Sequence, residues 1–393
     1  MEYRVPFGVR AHSYSEEEIT EALRIMRGSE PLTQGQNLRE FEREICRFAN
    51  VPFAYGISSA SAGLEIAASL CQLSEGDEVV IPAHTYTSSA YPFAKRGAAI
   101  VWADIDPITR VVTAETLESC VSARTKVIVV PHLYGYGVEM QEIMDLAQRY
   151  QALVIEDAAQ AIGVRIGDAM AGTFGDAGVF SFHSHKNLTT LGEGGVLVTH
   201  DTKWGEIIPE LRHNGHRPYS DDRSDYWIPA MTDVVLPKLN GEPIWPMNCC
   251  LGELACGIGI KLLARIDEIN SKKRDRALHV IDSLVDFPEL VFHREPSSRH
   301  NYYLLAARLD GVSRDQFIRR MAHHHSVQCV VQYYPLYRYP FYRELGFGEA
   351  VVPETDKFYD NMVSFPFSHV LSEHQIDYVI EATRETLAWL RAQ

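Results

Sequence analysis

Residues 79 to 157 contain four apolar runs: Val79-Val80-Ile81-Pro82, Ala98-Ala99-Ile100-Val101-Trp102-Ala103, Val127-Ile128-Val129-Val130-Pro131 and Leu153-Val154-Ile155-Glu156-Asp157. Runs this short and this apolar read as strands buried on both faces, a condition met in parallel sheets covered by crossover helices. The intervening residues 86–96, 114–122 and 139–150 suit those helices. The pattern therefore predicts an α/β domain built of βαβ units. Ligands of such sheets bind beyond the carboxyl ends of the strands. Asp157 stands at that end of the fourth run, and Gln160 follows it closely.

Two further polar features bracket the runs. Upstream, a short strand passes into Ser58-Ser59-Ala60-Ser61 and then into a helical pattern through Leu64, Ala67, Ala68 and Leu70. Amides and hydroxyls at a helix start either hold an anion or simply cap the helix. Downstream, Lys186 lies between a strand containing Val179, Phe180 and Phe182 and the turn Gly192-Glu193-Gly194-Gly195 that leads into Val196 and Leu197. A lysine desolvated between apolar runs is a Schiff-base nucleophile, whereas one that snorkels out of a loop is not. On this stretch alone both readings stay open.

A chain of 393 residues exceeds one ordinary core. We expect a large domain over 1–250, with helices within 12–50, and a second unit over 251–393. The second would comprise a linking helical stretch at 251–285 and a small α+β domain with strands at 302–307 and 327–331 and helices at 314–323 and 373–391. Asp201 to Gly241 reads as an ordered excursion or inter-subunit arm. The net charge is −15 and no basic run exceeds Lys272-Lys273-Arg274, so no nucleic-acid partner is expected. No apolar run approaches the roughly 20 residues of a membrane span. The start of the chain has no signal-like apolar core. Seven cysteines are few and odd in number for this length. A cytoplasmic, reduced protein is the expectation. Cys249, Cys250 and Cys256 lack zinc-site spacing, so no metal is expected.

An amine, an acid placed after a strand, and an anion patch together are what pyridoxal 5′-phosphate (PLP) requires. The chain resembles the DegT/StrS family of PLP-dependent sugar aminotransferases over essentially its whole length. The matching motifs are Leu32-Thr33-Gln34-Gly35, Ser58-Ser59-Ala60-Ser61-Ala62, Pro82-Ala83-His84-Thr85-Tyr86, Glu156-Asp157-Ala158-Ala159-Gln160-Ala161, Phe180-Ser181-Phe182-His183-Ser184-His185-Lys186-Asn187 and Gly192-Glu193-Gly194-Gly195. Pro335-Leu336 and Ser364-Phe365-Pro366 match as well. The resemblance implies PLP fold type I, aspartate-aminotransferase-like: a large domain with a mostly parallel seven-stranded sheet and a smaller α+β domain. It implies that Lys186 holds the cofactor as a Schiff base and shuttles protons. Asp157 would bind the pyridine nitrogen, Gln160 the ring hydroxyl, and Tyr86 would stack on the ring. Ala60, Ser61 and Ser181 would hold the phosphate. The family's homodimer implies that Asn248 reaches the partner's phosphate.

The chain departs from the family pattern at Cys250, where arginine is usual, at Tyr334 and Tyr337, where histidines are common, and at Ala60-Ser61, where glycine-threonine is usual. Tyr226-Trp227, Asn240-Gly241 and Trp245-Pro246-Met247 resemble a subgroup that forms 8-amino-3,8-dideoxy-manno-octulosonate, an acidic sugar of lipopolysaccharide, with glutamate as donor. His183 and His185, and arginines such as Arg212 and Arg217, are candidates to bind that sugar. Alternatives are an aminotransferase for nucleotide-linked 3- or 4-keto-sugars, a dehydratase of the same fold, which would carry histidine in place of Lys186, and a non-catalytic regulatory relative.

Overall fold

The computed structural model describes residues 2–8, 12–217 and 232–393. The Tyr226-Trp227 part of the subgroup resemblance lies outside these residues.

The large sheet has seven strands: β1 (Phe53–Ile57), β2 (Glu78–Pro82), β3 (Ala99–Ala103), β4 (Thr125–Pro131), β5 (Leu153–Asp157), β6 (Ala177–Ser181) and β7 (Gly195–Thr199). Their spatial order is β1-β7-β6-β5-β4-β2-β3. The pairs from β6 to β3 are parallel. Strand β7 runs antiparallel to both β6 and β1. Six strands thus point one way, and their carboxyl ends form one edge. The expected α/β architecture with a mostly parallel seven-stranded sheet is what the chain adopts.

The apolar runs are continuous because each face of the sheet has its own core. Val80, Ile128, Val130 and Val154 pack on one side with Phe41 and Ile45. Val79, Ile81, Val127, Val129 and Ile155 pack on the other. Each such side chain taken out of water contributes roughly 1.5–3 kcal/mol.

The helical region at 12–50 is two helices, α1 (Glu16–Arg27) and α2 (Gln36–Ala49). Ser15 caps α1 in a reciprocal box with Glu18. Helix α2 begins at Gly35, which has no capping side chain of its own. Glu253 takes that role from more than 200 residues away, accepting from the amides of Gly35 (2.7 Å), Asn37 (2.8 Å) and Leu38 (3.2 Å). Helix α3 (Ala60–Leu70) follows β1 directly. The expected helix at 86–96 is only a 3₁₀ turn, Thr87–Ser89, and a short segment, Tyr91–Ala94.

The described parts of the 201–241 region, 201–217 and 232–241, are more regular than their sequence indicates. Asp201 caps α4 (Thr202–Arg212). Gly205 and Pro209 disguise the helix. Gly205 is needed because a Cβ there would lie 2.5 Å from the Phe53 ring. The Asn240-Gly241 turn closes a hairpin between Lys238–Leu239 and Glu242–Pro243.

The expected division at residue 250 falls between Cys249, in the core on one face of the sheet, and Leu251, in the core on the other. The stretch 251–285 is two helices, α5 (Glu253–Leu263) and α6 (Ile266–Ser283). Cys256, Ile258 and Leu262 of α5 pack in the large-sheet core, whereas Ala277, Val280 and Ile281 of α6 pack in a third core. That core surrounds an antiparallel sheet of β8 (Leu290–Phe292), β9 (Leu305–Leu309) and β10 (Met362–Phe365), with α7 (Arg314–His325) and α8 (Glu373–Arg391) against it. The strand expected at 302–307 starts only at Leu305. Tyr302 has a φ of +47° and Asn301 is turned to the large domain, bonding to the carbonyl of Gln160 at 3.0 Å. The strand expected at 327–331 is reduced to isolated bridges at Val327 and Val330, because the chain leaves there towards the cavity described next. Among the described residues no helix is long and apolar enough to cross a membrane.

Candidate active site

A cavity of about 720 Å³ opens at the carboxyl edge of the sheet. It gathers Ala60, Ser61, Tyr86, Asp157, Gln160, Ser181, His183, His185 and Lys186. These come from four separate stretches of the sequence, 60–61, 86, 157–160 and 181–186.

One end of the cavity is built to receive an anion. Ser59 caps α3, its Oγ accepting from the amide of Ala62 at 3.2 Å. The amides of Ala60 and Ser61 open the helix, where no intrahelical carbonyl can meet them. Ser61 Oγ lies 2.6 Å from Ser88 Oγ, so two hydroxyls converge there. Ser181 ends β6 beside them. Gly195 opposite Ser181 is required: a Cβ would sit 2.8 Å from the amide nitrogen of Ala60.

Asp157 ends β5 and is buried. Its Oδ2 accepts from Ser89 Oγ at 2.6 Å and its Oδ1 from the amide of Ala159 at 3.1 Å. Each oxygen keeps a further lone pair for a ligand N–H. Glu156, one residue earlier, points the other way, as strand alternation requires. It is saturated by the amides of Gly172 (2.7 Å), Phe174 (2.6 Å) and Gly175 (2.7 Å) and by His132 Nε2 (2.8 Å). His132 Nδ1 accepts from the Val138 amide at 3.1 Å, which places the ring proton on Nε2.

Gln160 is fixed at both ends. Its Oε1 accepts from the amide of Tyr134 at 2.7 Å, and its Nε2 donates to Tyr333 Oη at 3.2 Å. Tyr134 Oη donates to the Gln332 carbonyl at 2.6 Å and meets His84 Nε2 at 2.7 Å. Burial, aided by the charge of Arg110, lowers the His84 pKa to about 3 and keeps the ring neutral. Tyr86 is 52% exposed and stands edge-on to Tyr333, with ring centroids 5.9 Å apart.

Lys186 lies in the loop between β6 and β7, and its Nζ is 4.2 Å from the centroid of the Tyr303 ring. The amide of Lys186 is held by the His183 carbonyl at 2.8 Å. The His183 and His185 rings are 5.2 Å apart. Burial lowers the pKa of His183, outweighing Glu193, whose carboxylate is 3.7 Å away.

Three candidates lie elsewhere. Asn248 is exposed and bridges to His213 through the backbone. Arg212 is buried against Glu42 and the Gly56 carbonyl, and Arg217 pairs with Asp233 at 3.6 Å. None of the three lines the cavity of its own chain. Tyr303, Tyr333, Ser88 and Ser89 do line it or its supports, and sequence reasoning did not single them out. Their one signal was the nearby density of tyrosine and serine.

These residues fit PLP. The α3 start, Ser61 and Ser181 suit a phosphate, Asp157 a protonated pyridine nitrogen, and Gln160 a ring hydroxyl. Lys186 supplies the amine. When bound, the cofactor provides an electron sink for a carbanion.

Comparison with known proteins agrees. The DegT/DnrJ/EryC1/StrS aminotransferase family matches residues 13–384. The spore coat polysaccharide biosynthesis protein SpsC of Bacillus subtilis is 30% identical over 380 residues, covering 94% of this chain and 93% of SpsC. The GDP-perosamine synthase of Vibrio cholerae is 27% identical over 347 residues, 88% of this chain and 89% of the synthase. A sugar aminotransferase structure from Streptococcus pneumoniae, Spr1654 in its PMP form, superposes with a TM-score of 0.86 over 99% of both chains at 24% identity. The chain belongs to the DegT/DnrJ/EryC1/StrS aminotransferase family and is a PLP-dependent transaminase.

Proposed function

We propose that the enzyme moves an amino group from glutamate to a keto or aldehyde carbon of a sugar. Its acceptor is 8-oxo-3-deoxy-manno-octulosonate, giving 8-amino-3,8-dideoxy-manno-octulosonate for lipopolysaccharide. The observation that carries the aminotransferase reading is the convergence of Lys186, Asp157 and the α3 start on one cavity. Relatives named for coat polysaccharide and perosamine synthesis support a sugar acceptor. The resemblance at Asn240-Gly241 and Trp245-Pro246-Met247 supports the acidic sugar, as does Cys250 in place of the usual arginine.

The residues act as follows. Lys186 Nζ takes and returns the proton at the reacting carbon. Asp157 holds a positive nitrogen by charge. Tyr86 and Tyr333 exclude water from the ring faces. His183 and His185, on the rim, orient the sugar. A homodimer completes the site, with Asn248 turned to the partner's phosphate. Trp245, 77% exposed three residues before it, is the kind of apolar surface such an interface covers.

The test is a screen of the second half-reaction. Glutamate first converts the enzyme to its amine form, and candidate acceptors are then offered. Amination of the sugar acid supports the reading, and amination of nucleotide-linked sugars alone refutes it. That second outcome is the alternative favoured by the GDP-perosamine synthase relative. A relative named pleiotropic regulatory protein, 28% identical, is the basis for a regulatory reading. Absence of half-transamination with glutamate would favour it.

A further inference from the structure

A second, smaller cavity of about 220 Å³ adjoins the first, and His185, Tyr303 and Gln332 form walls of both. Its floor holds Lys273, which comes from α6 and is 4% exposed. Two of its three donors are used, by Asn187 Oδ1 at 2.8 Å and the Tyr303 carbonyl at 3.0 Å. Among the described residues no carboxylate pairs with it. A buried lysine without a counter-ion is costly to keep charged.

The surroundings point the same way. Lys273 is the one Lys or Arg lining this lobe, and no acid lines it. His369, also in the wall, is kept neutral, its pKa lowered to about 3 by burial and by the positive charge of Lys273. The main cavity has Asp157 and Glu193 in its walls. Apart from the α3 start, which suits the cofactor phosphate, the lobe is therefore the part of the combined cavity that favours negative charge. Lys186 and Lys273 stand over one Tyr303 ring, at 4.2 and 5.7 Å from its centroid. A ligand whose carbonyl reaches Lys186 can extend past that ring to Lys273.

We propose that this lobe is the carboxylate subsite of the sugar acceptor, with the remaining N–H of Lys273 as its specificity-determining donor. The proposal rests on the acidic-sugar reading above. It deepens that reading by assigning the acid end of the substrate to a residue outside the cofactor set. Burial and Lys186 hold the Lys273 pKa down to about 7, so an arriving anion also stabilises the proton on the amine. The donor glutamate carries carboxylates too, and the test separates the two sources.

The probe is 3-deoxy-manno-octulosonate, which carries the carboxylate but lacks the C8 aldehyde, and the PLP-loaded enzyme has no amino group to pass to its C2 ketone. Its binding to the PLP-loaded enzyme is measured by calorimetry beside that of its uncharged carboxamide. The acid is expected to bind wild type about 10- to 100-fold more tightly than the amide, the usual worth of one charge-assisted hydrogen bond. Lys273→Met is expected to erase that difference, Lys273→Arg to restore part of it, and neither to change the rate of half-transamination by glutamate more than twofold.

Equal affinity of acid and amide for wild type overturns the subsite without need of any variant. So does a Lys273→Met enzyme that keeps the preference, or one that slows with glutamate as much as with the aldehyde-bearing sugar acid. If the enzyme aminates only nucleotide-linked sugars yet retains the Lys273-dependent preference for the acid, the acceptor assigned above fails and the subsite stands. If it aminates the sugar acid with the same KM in Lys273→Met, the acceptor stands and the subsite fails.

Discussion

Glu156 and Asp157 are neighbours in sequence whose carboxylates face opposite sides of the sheet edge. Glu156 is spent on three backbone amides and His132, while Asp157 is held by Ser89 and the Ala159 amide with lone pairs to spare. One carboxylate stabilises the fold and the other faces the cavity in which the cofactor is proposed to bind. Glu156→Gln is expected to lose about 1–3 kcal/mol of stability, because an NH₂ group replaces an acceptor where buried donors converge. Asp157→Asn is expected to leave Tm of the cofactor-free protein nearly unchanged and to lower the transamination rate at least a hundredfold. Thermal melts beside steady-state rates check the pair. Equal Tm losses would contradict the division of labour.

Lys186 is expected to give the purified protein its yellow colour and to lose the visible band on addition of glutamate. Lys186→Ala should retain the fold and lose transamination by a thousandfold or more, since it removes both the amine and the proton shuttle. Stopped-flow absorbance with glutamate is the measurement. A variant that transaminates at the wild-type rate would refute the mechanism.

Glu253 caps α2 across the fold. Glu253→Ala is expected to cost about 1–3 kcal/mol by leaving the amides of Gly35, Asn37 and Leu38 without an acceptor. Urea denaturation should show a lower midpoint at an unchanged slope. Because the Leu32-Gly35 segment is tied down by this residue, its proteolysis should also quicken.

Lys273 gives a pH dependence with a definite sign. Burial, with a contribution from Lys186, lowers its pKa from 10.5 to about 7 in the folded chain. Between those values the unfolded chain binds a proton that the folded chain lacks, so stability contributed by this group rises with pH. Below pH 7 both states hold the proton and the dependence vanishes. The slope approaches about 1.4 kcal/mol per pH unit. Ligand-free wild type should therefore gain about 1 kcal/mol more than Lys273→Met between pH 7.5 and 8.5. Equal gains in urea unfolding would assign the effect elsewhere.

The sheet was legible because burial on both faces writes itself as unbroken Val and Ile runs, and Asp157 and Lys186 because each ends or follows such a run. What was not legible had no local cause. The capping of α2 by Glu253 depends on a residue far along the chain. Tyr302 and Tyr303 look like strand residues, yet the polar contact of Asn301 beside them to the Gln160 loop turns them aside. Helix α4 was hidden because Gly205 answers to the Phe53 ring rather than to helix propensity. Tyr333 and Tyr303 reach the cavity from segments far along the chain that pack on the large-sheet core, so their role needed the tertiary fold. Arg212 shows the reverse error: its charge suggested a substrate, and Glu42 already holds it.

The antiparallel strand β7 links two events in time. Its register joins Phe53 to Thr199 and Ile57 to Gly195, the longest-range pairing in the sheet. Loop closure on that scale is slow. Until it occurs, neither the α3 start beside Gly195 nor the Lys186 loop that β7 terminates has its final neighbours. The residues proposed to anchor the phosphate and the aldehyde thus share one requirement, the closure of this strand pair. Cofactor capture by a nascent chain would serve as a clock for the completion of its sheet.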